Sequence, residues 1–267
     1  MEDLFNEDLV EEVEEEETAA PYDEKKVKSY SAETTANYLR SLRNCNRVMY
    51  VIIFGFIVAI TLIAIGIMTV GMEKTFTSAV AKSAMWIAIV CFIVAIPAGI
   101  FMYSIHHEMA QINGNFARAW GADKKILISG AVSALADTFL DDRLGSVVSG
   151  AADVYQTYQT FKRIQYANAG IVEELLKDNV ENPKTGHSIF IANVLSLVFS
   201  FVIIVVAAFI LAISVSTHPN DDIATVPSTG IGVAFLLINL VFGGAMLTIY
   251  IQNRYYTYAI NLLERKY

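Results

Sequence analysis

SIFIANVLSLVFSFVIIVVAAFILAISVST, residues 188–217, runs for thirty positions without a charged side chain. A hydrocarbon core of roughly 30 Å is crossed by about 20 helical residues, so this run is long enough to span a bilayer with some tilt. Three further runs share the property: 48–72, 83–105 and 223–252. In lipid a lone apolar segment satisfies its own backbone hydrogen bonds only as a helix. The expected spans are 48–72, 84–105, 189–215 and 230–251, paired as one transmembrane hairpin over 48–105 and a second over 188–251. Pro97 removes one backbone donor within the second span and is expected to kink it. The fold class is therefore all-α: a polytopic membrane protein, with a four-helix transmembrane bundle and a cytoplasmic helical insertion between spans two and three.

Composition agrees. Of 267 residues, 55% are hydrophobic and only 17% charged, against about 25% charged in an ordinary soluble domain. The net charge of −8 is concentrated at one end. Residues 1–24 hold twelve acids and no Lys or Arg, which leaves 15 acids against 19 bases elsewhere, a net of +4. Such a block of like charge repels itself, and an acidic disordered tail is expected over 1–24. Leu4, Phe5, Leu9, Val10 and Val13 punctuate its acids, so it could also fold as a short helix on a basic partner. Residues 25–47 are basic and predict a juxtamembrane helix lying on or leading into the membrane. The acidic start lacks the basic region of a cleavable signal peptide. Cys45 and Cys91 stand far apart and suggest neither a disulfide framework nor a zinc site.

Lys and Arg give the direction. The segment before span one carries six, the connection 106–187 eight and the C-terminal segment three, whereas the two short loops carry only Lys74 and Lys82. Basic residues accumulate on the cytoplasmic side. Both termini, the helical module 106–187 and a C-terminal helix over 252–267 are thus expected in the cytoplasm of a cell whose plasma membrane holds the protein. Tyr50, Trp86, Phe101, Tyr103, Tyr250, Tyr255 and Tyr256 fall near span ends, where amphipathic rings are favoured.

Within the module, Ile105, Met109, Ile112, Phe116 and Trp120 recur at helical spacing, predicting that span two continues as a helix until Gly121, with Asp123 capping the next. Ile126–Ala136 is too short to cross a bilayer and reads as a buried or interfacial helix in preference to a re-entrant loop. Val147, Ala151, Val154, Tyr158, Phe161, Gln165, Asn168, Val172 and Leu175 alternate at four and three, a heptad seam of coiled-coil type. That seam serves packing within the chain, or its polar members Gln165 and Asn168 set register between chains. The helix should stop before Asn182-Pro183. Ser129-Gly130-Ala131 returns as Ser149-Gly150-Ala151, which suggests a helical hairpin. Tyr103 and Tyr250 end spans two and four in similar phrases, which suggests two parallel hairpins of related design.

Chemistry is sparse. No Asp, Glu, Lys, Arg or His falls within the spans, which disfavours proton-coupled transport. Asn239 is expected to hydrogen-bond to a neighbouring helix, and Gly55, Ala59, Ala95, Gly99, Gly243 and Gly244 to admit close helix approach. His106 and His107 are the metal candidates. Neighbouring helical residues point about 100° apart, so an ion there would need further ligands such as Asp137, Asp141 or Asp142, and solvated histidines are the simpler reading. No nucleotide, hydrolase or zinc-protease motif occurs, no catalytic residue or cofactor is expected, and no basic aromatic face suits nucleic acid. The expected partners are the lipid bilayer, a protein on the cytoplasmic side and a second copy of the chain. The leading functional expectation is a non-enzymatic scaffold that recruits a partner through its cytoplasmic helices and acidic tail. An oligomeric pore lined by Ser, Thr and Asn is the alternative, and a membrane enzyme using His106, His107 or the Asp141 region the third.

Overall fold

The computed structural model describes residues 32–139, 142–177, 179–216 and 228–264; the acidic tail 1–24 and most of the second short loop lie outside them. The described residues form seven helices and no strand: α1 (Ala32–Val70), α2 (Met72–Thr77), α3 (Ala79–Met109), α4 (Gly114–Phe139), α5 (Asp142–Lys177), α6 (His187–Ser216) and α7 (Ser228–Glu264). Four of them, α1, α3, α6 and α7, are long and apolar enough to cross a membrane. The basic stretch at 32–47 is the first part of α1 itself, continuous with the span.

Packing places α1 and α7 side by side in the centre, with α3 against α1 and α6 against α7. The outer pair α3 and α6 expose almost all of their apolar windows, whereas α1 and α7 bury more of theirs. This order does not fit two parallel hairpins of related design. Such a repeat would equate α3 with α7, yet one is peripheral and the other central.

Glycine and small residues set the approach distances. Gly55 faces Cys91 on α3, where a Cβ would come within 2.3 Å of its sulfur. Gly232 faces Met68 and the Ala64 carbonyl on α1, and Gly244 faces Ser196 on α6. Ala59 is buried and Ala95 half-buried, but Gly99 and Gly243 face open space in the single chain. Asn239 on α7 donates from Nδ2 to Thr61 Oγ1 on α1 at 2.8 Å. Helix α3 continues through Pro97 without interruption.

The α3–α4 junction departs from expectation. The chain turns at Ala110–Asn113 and folds back, so Gly121 and Asp123 lie inside α4 and not at a helix break. Asn113 makes the corner: its Oδ1 accepts from Phe116 N at 2.9 Å, a helix cap, and its Nδ2 donates to Gly170 O and Glu174 Oε1 on α5. Ile105, Met109, Ile112 and Phe116 are nevertheless all buried, because both arms of the corner face one core.

That core closes one pole of the bundle. Leu39 and Leu42 of α1, Ile105 and Met109 of α3, Phe116 of α4, and Ile171 and Leu175 of α5 meet there with Ile189 of α6 and Tyr255, Tyr256, Ile260 and Leu263 of α7. Each fully buried large side chain contributes roughly 1.5–3 kcal/mol. Tyr255 and Tyr256 thus belong to the interior and are not belt residues, whereas Tyr50, Trp86, Phe101 and Tyr250 are exposed. Tyr103 packs on Trp120 with ring centroids 4.2 Å apart.

Helices α4 and α5 form an antiparallel hairpin from that pole. Gly170 lies against the Phe116 ring, and Ser133 Oγ donates to Asp153 near the far end. Gly130 faces Gln156, whereas Gly150 faces open space, so the two Ser-Gly-Ala phrases do not pair. The heptad seam is only partly used. Val147, Ala151, Val154, Tyr158 and Gln165 are exposed, Phe161 and Val172 half-buried, and Leu175 fully buried. The buried stripe of α5 adds Ile164 and Ile171 to the seam members Asn168 and Leu175. Asn168 donates to Gly186 O in the turn before α6, a contact within the chain. Ile126–Ala136 is helical, but Leu127, Ile128, Val132 and Leu135 are uncovered. Helix α5 ends at Lys177, ahead of Asn182-Pro183 as expected.

Candidate functional site

A cavity of about 570 Å³ lies between α5 and the spanning helices, at the end where the α4–α5 hairpin joins them. Its walls come from six helices. Helix α1 supplies Leu42, Asn46 and Met49, α3 supplies Met102, His106 and Met109, and α4 supplies Phe116 and Ala119. Helix α5 adds Thr160, Arg163 and Ile164, α6 adds Asn193, Ser196 and Ser200, and α7 adds Thr248, Gln252 and Tyr256.

The polar centre beside it is a three-residue network. His106 Nδ1 donates to Asp123 Oδ2 at 2.6 Å, and Arg163 Nη1 donates to Asp123 Oδ1 at 3.1 Å. Asp123 is 6% exposed. Burial by itself pushes its carboxyl up, but the hydrogen bond from His106 and the Arg163 charge outweigh burial and hold it below the ordinary carboxylate range. The ion pair ties α3, α4 and α5 together at the corner. Asp123, read from the sequence as a helix cap, is therefore an ion-pair centre.

His106 is held by Asp123 and is not a solvated histidine. His107 points elsewhere, with its ring 5.0 Å from that of Trp120. Among the described residues no three of His, Cys, Asp and Glu converge as a metal site. Asp141 and the side chains of Asp137 and Asp142 lie outside the description.

Two groups in the wall differ in how far they are satisfied. The Ser200, Thr160 and Thr248 hydroxyls each donate to a carbonyl four residues back in their own helix, and Asn193 does the same with its amide. Asn46 is 6% exposed, and its Nδ2 has no hydrogen-bond partner. Such a buried orphan donor costs about 1–3 kcal/mol. The wall contains one Arg, one His and no carboxylate.

Sequence reading singled out His106 but missed Arg163, Asn46 and the cavity itself. A charged Arg163 two positions after the apolar heptad position Phe161 was the available signal. The chain matches no protein-family model, no curated protein and no solved structure.

Proposed function

We propose that this is a multi-pass protein of the plasma membrane, with both termini and the α4–α5 hairpin on the cytoplasmic side, acting as a non-enzymatic scaffold that recruits a protein partner. The Lys and Arg distribution supports the orientation: Arg40, Arg43 and Arg47 precede the first charge-free run, Lys124, Lys162, Arg163 and Lys177 fall on α4 and α5, and Arg254 follows the last run. One observation carries the recruiting role. The α4–α5 hairpin turns Leu127, Ile128, Val132, Leu135, Val147 and Val154 outward, outside the four spanning helices. Six large apolar side chains exposed on one hairpin are what an interaction site offers, and the acidic tail supplies a charged second contact.

The test has two arms. A probe engineered near Tyr158 should stay unlabelled in intact cells; labelling from outside would reverse the topology. Full-length protein, a deletion of residues 1–24 and a Val147→Asp/Val154→Asp variant are then compared for co-purifying proteins and particle mass. Loss of one defined partner in the two altered forms is expected, and identical partners in all three would end the recruiting reading. The pore alternative draws less support, since Asn239 is hydrogen-bonded to Thr61 of the same chain; conductance altered by Asn239→Leu would revive it.

A further inference from the structure

We infer that the cavity beneath α5 is a binding site for an anionic membrane lipid, which lies lengthwise with its headgroup at Arg163 and Asn46 and an acyl chain between α3 and α6. The inference is independent of the recruiting reading, and either can fail alone.

The cavity runs along α5 from Thr157 to Ile171 and extends inward beside α6 and α7. From Gln252 to Ala245 on α7, and from Asn193 to Ser200 on α6, its wall extends seven residues, about 10 Å at 1.5 Å per residue. Asn46, His106 and Gln252 sit where the charge-free runs begin or end, the level of lipid headgroups. Ser200 and Ala245 lie deeper within those runs.

The chemistry changes along that inward extension. At the deep end the hydroxyls of Ser200 and Thr248 already donate within their own helices. What they leave facing the cavity, together with Met49, Leu197 and Ile249, suits hydrocarbon. At the shallow end Arg163 commits Nη1 to Asp123, and a guanidinium has five donors in all. Asn46 adds the orphan Nδ2. A small shift of the side chains that cover this donor would let a phosphate or carboxylate oxygen satisfy it and share the Arg163 guanidinium with Asp123, the carboxylate that stands beside the wall.

Access comes from the side. Helices α3 and α6 flank the central pair and do not close on one another, so a lipid can enter from the bilayer. The volume lies within the range of small-molecule sites, roughly 300–1,000 Å³.

Full-length protein in neutral detergent tests this. Dioleoyl phosphatidylglycerol, dioleoyl phosphatidylcholine and inorganic phosphate are titrated separately, with bound mass read by native mass spectrometry and the unfolding midpoint by tryptophan fluorescence. One phosphatidylglycerol should be retained at about tenfold lower concentration than phosphatidylcholine and should raise Tm, while phosphate does neither. Asn46→Leu and Arg163→Gln should each abolish that preference. Asn46→Leu should do so with an unchanged or higher lipid-free Tm, because it removes an unsatisfied buried amide, so misfolding would not account for the loss. Ser200→Trp, which fills the deep end, should abolish retention of both lipids. Equal retention of the two lipids, an equal shift from phosphate alone, or an undiminished preference in both headgroup variants would overturn the assignment.

Discussion

Asp123 shows how a single side chain organises the corner of this molecule. It accepts from His106 and Arg163 at once, and removing it leaves two half-buried donors facing one another. Asp123→Asn is expected to lower stability by about 2 kcal/mol near neutral pH, measured by chemical or thermal unfolding in detergent. The pH dependence has a definite sign. The folded carboxyl titrates below the ordinary value of about 3.9. Its contribution is therefore complete above that pH and is lost as the pH falls through the lower folded value. Wild type should lose stability on acidification below about pH 4, and the Asn variant should lack that component. Parallel acid curves for the two proteins would refute the ion-pair account. The sequence made His106 visible because two adjacent histidines are conspicuous. It did not disclose the partner, since His106 and Asp123 meet only after the chain reverses at Asn113.

Between elements, contact distance is governed by glycines that sequence reading ranked imperfectly. Gly232 was overlooked, yet a Cβ there would lie 2.2 Å from Met68 and 3.1 Å from the Ala64 carbonyl. Gly243 was singled out, and nothing approaches it. Gly232→Ala should push α7 from α1 and lower stability, whereas Gly243→Ala should hold or raise stability through helix propensity, by up to about 1 kcal/mol. Equal effects would argue against this helix pairing. The α4–α5 hairpin offers a second contrast. Gly170→Ala would press on the Phe116 ring at 2.7 Å and is expected to cost about 1–3 kcal/mol. Val154→Ser, on the exposed face, should change the stability of the isolated protein by under about 0.5 kcal/mol. A large loss at Val154 would mean that the outward face supports the fold itself. The heptad spacing in α5 picked out its most apolar stripe, but α4 packs near the small and polar positions around Gln156 and Gln159. A period reports which residues share a face and is silent on which neighbour covers it.

At the scale of the whole molecule, the apolar cluster at one pole joins the ends of all four spanning helices to α4 and α5. The segment between spans two and three is thereby part of the bundle and not an appended linker. Leu175, fully buried, should cost about 3 kcal/mol on replacement by Ala, and the loss should be felt in the spans. Trp86 lies on α3 and Trp120 on α4, which allows a check. With either tryptophan replaced by Phe in turn, the remaining fluorescence transition should coincide with loss of helical circular dichroism, for wild type and for Leu175→Ala alike. Separate transitions would show that hairpin and spans unfold independently.

What the chain determines locally is the set of helices. Runs of uncharged apolar residues in lipid have one way to satisfy their backbones, so four spanning helices follow from composition and length, without knowledge of neighbours. Which helices are central, where α3 ends, which face of α5 is covered, and that Asn46 and Arg163 share a cavity were decided in three dimensions. Those outcomes depend on steric fit and on pairings between residues up to 224 positions apart, such as Arg40 and Glu264, and no local pattern of hydropathy encodes such a pairing.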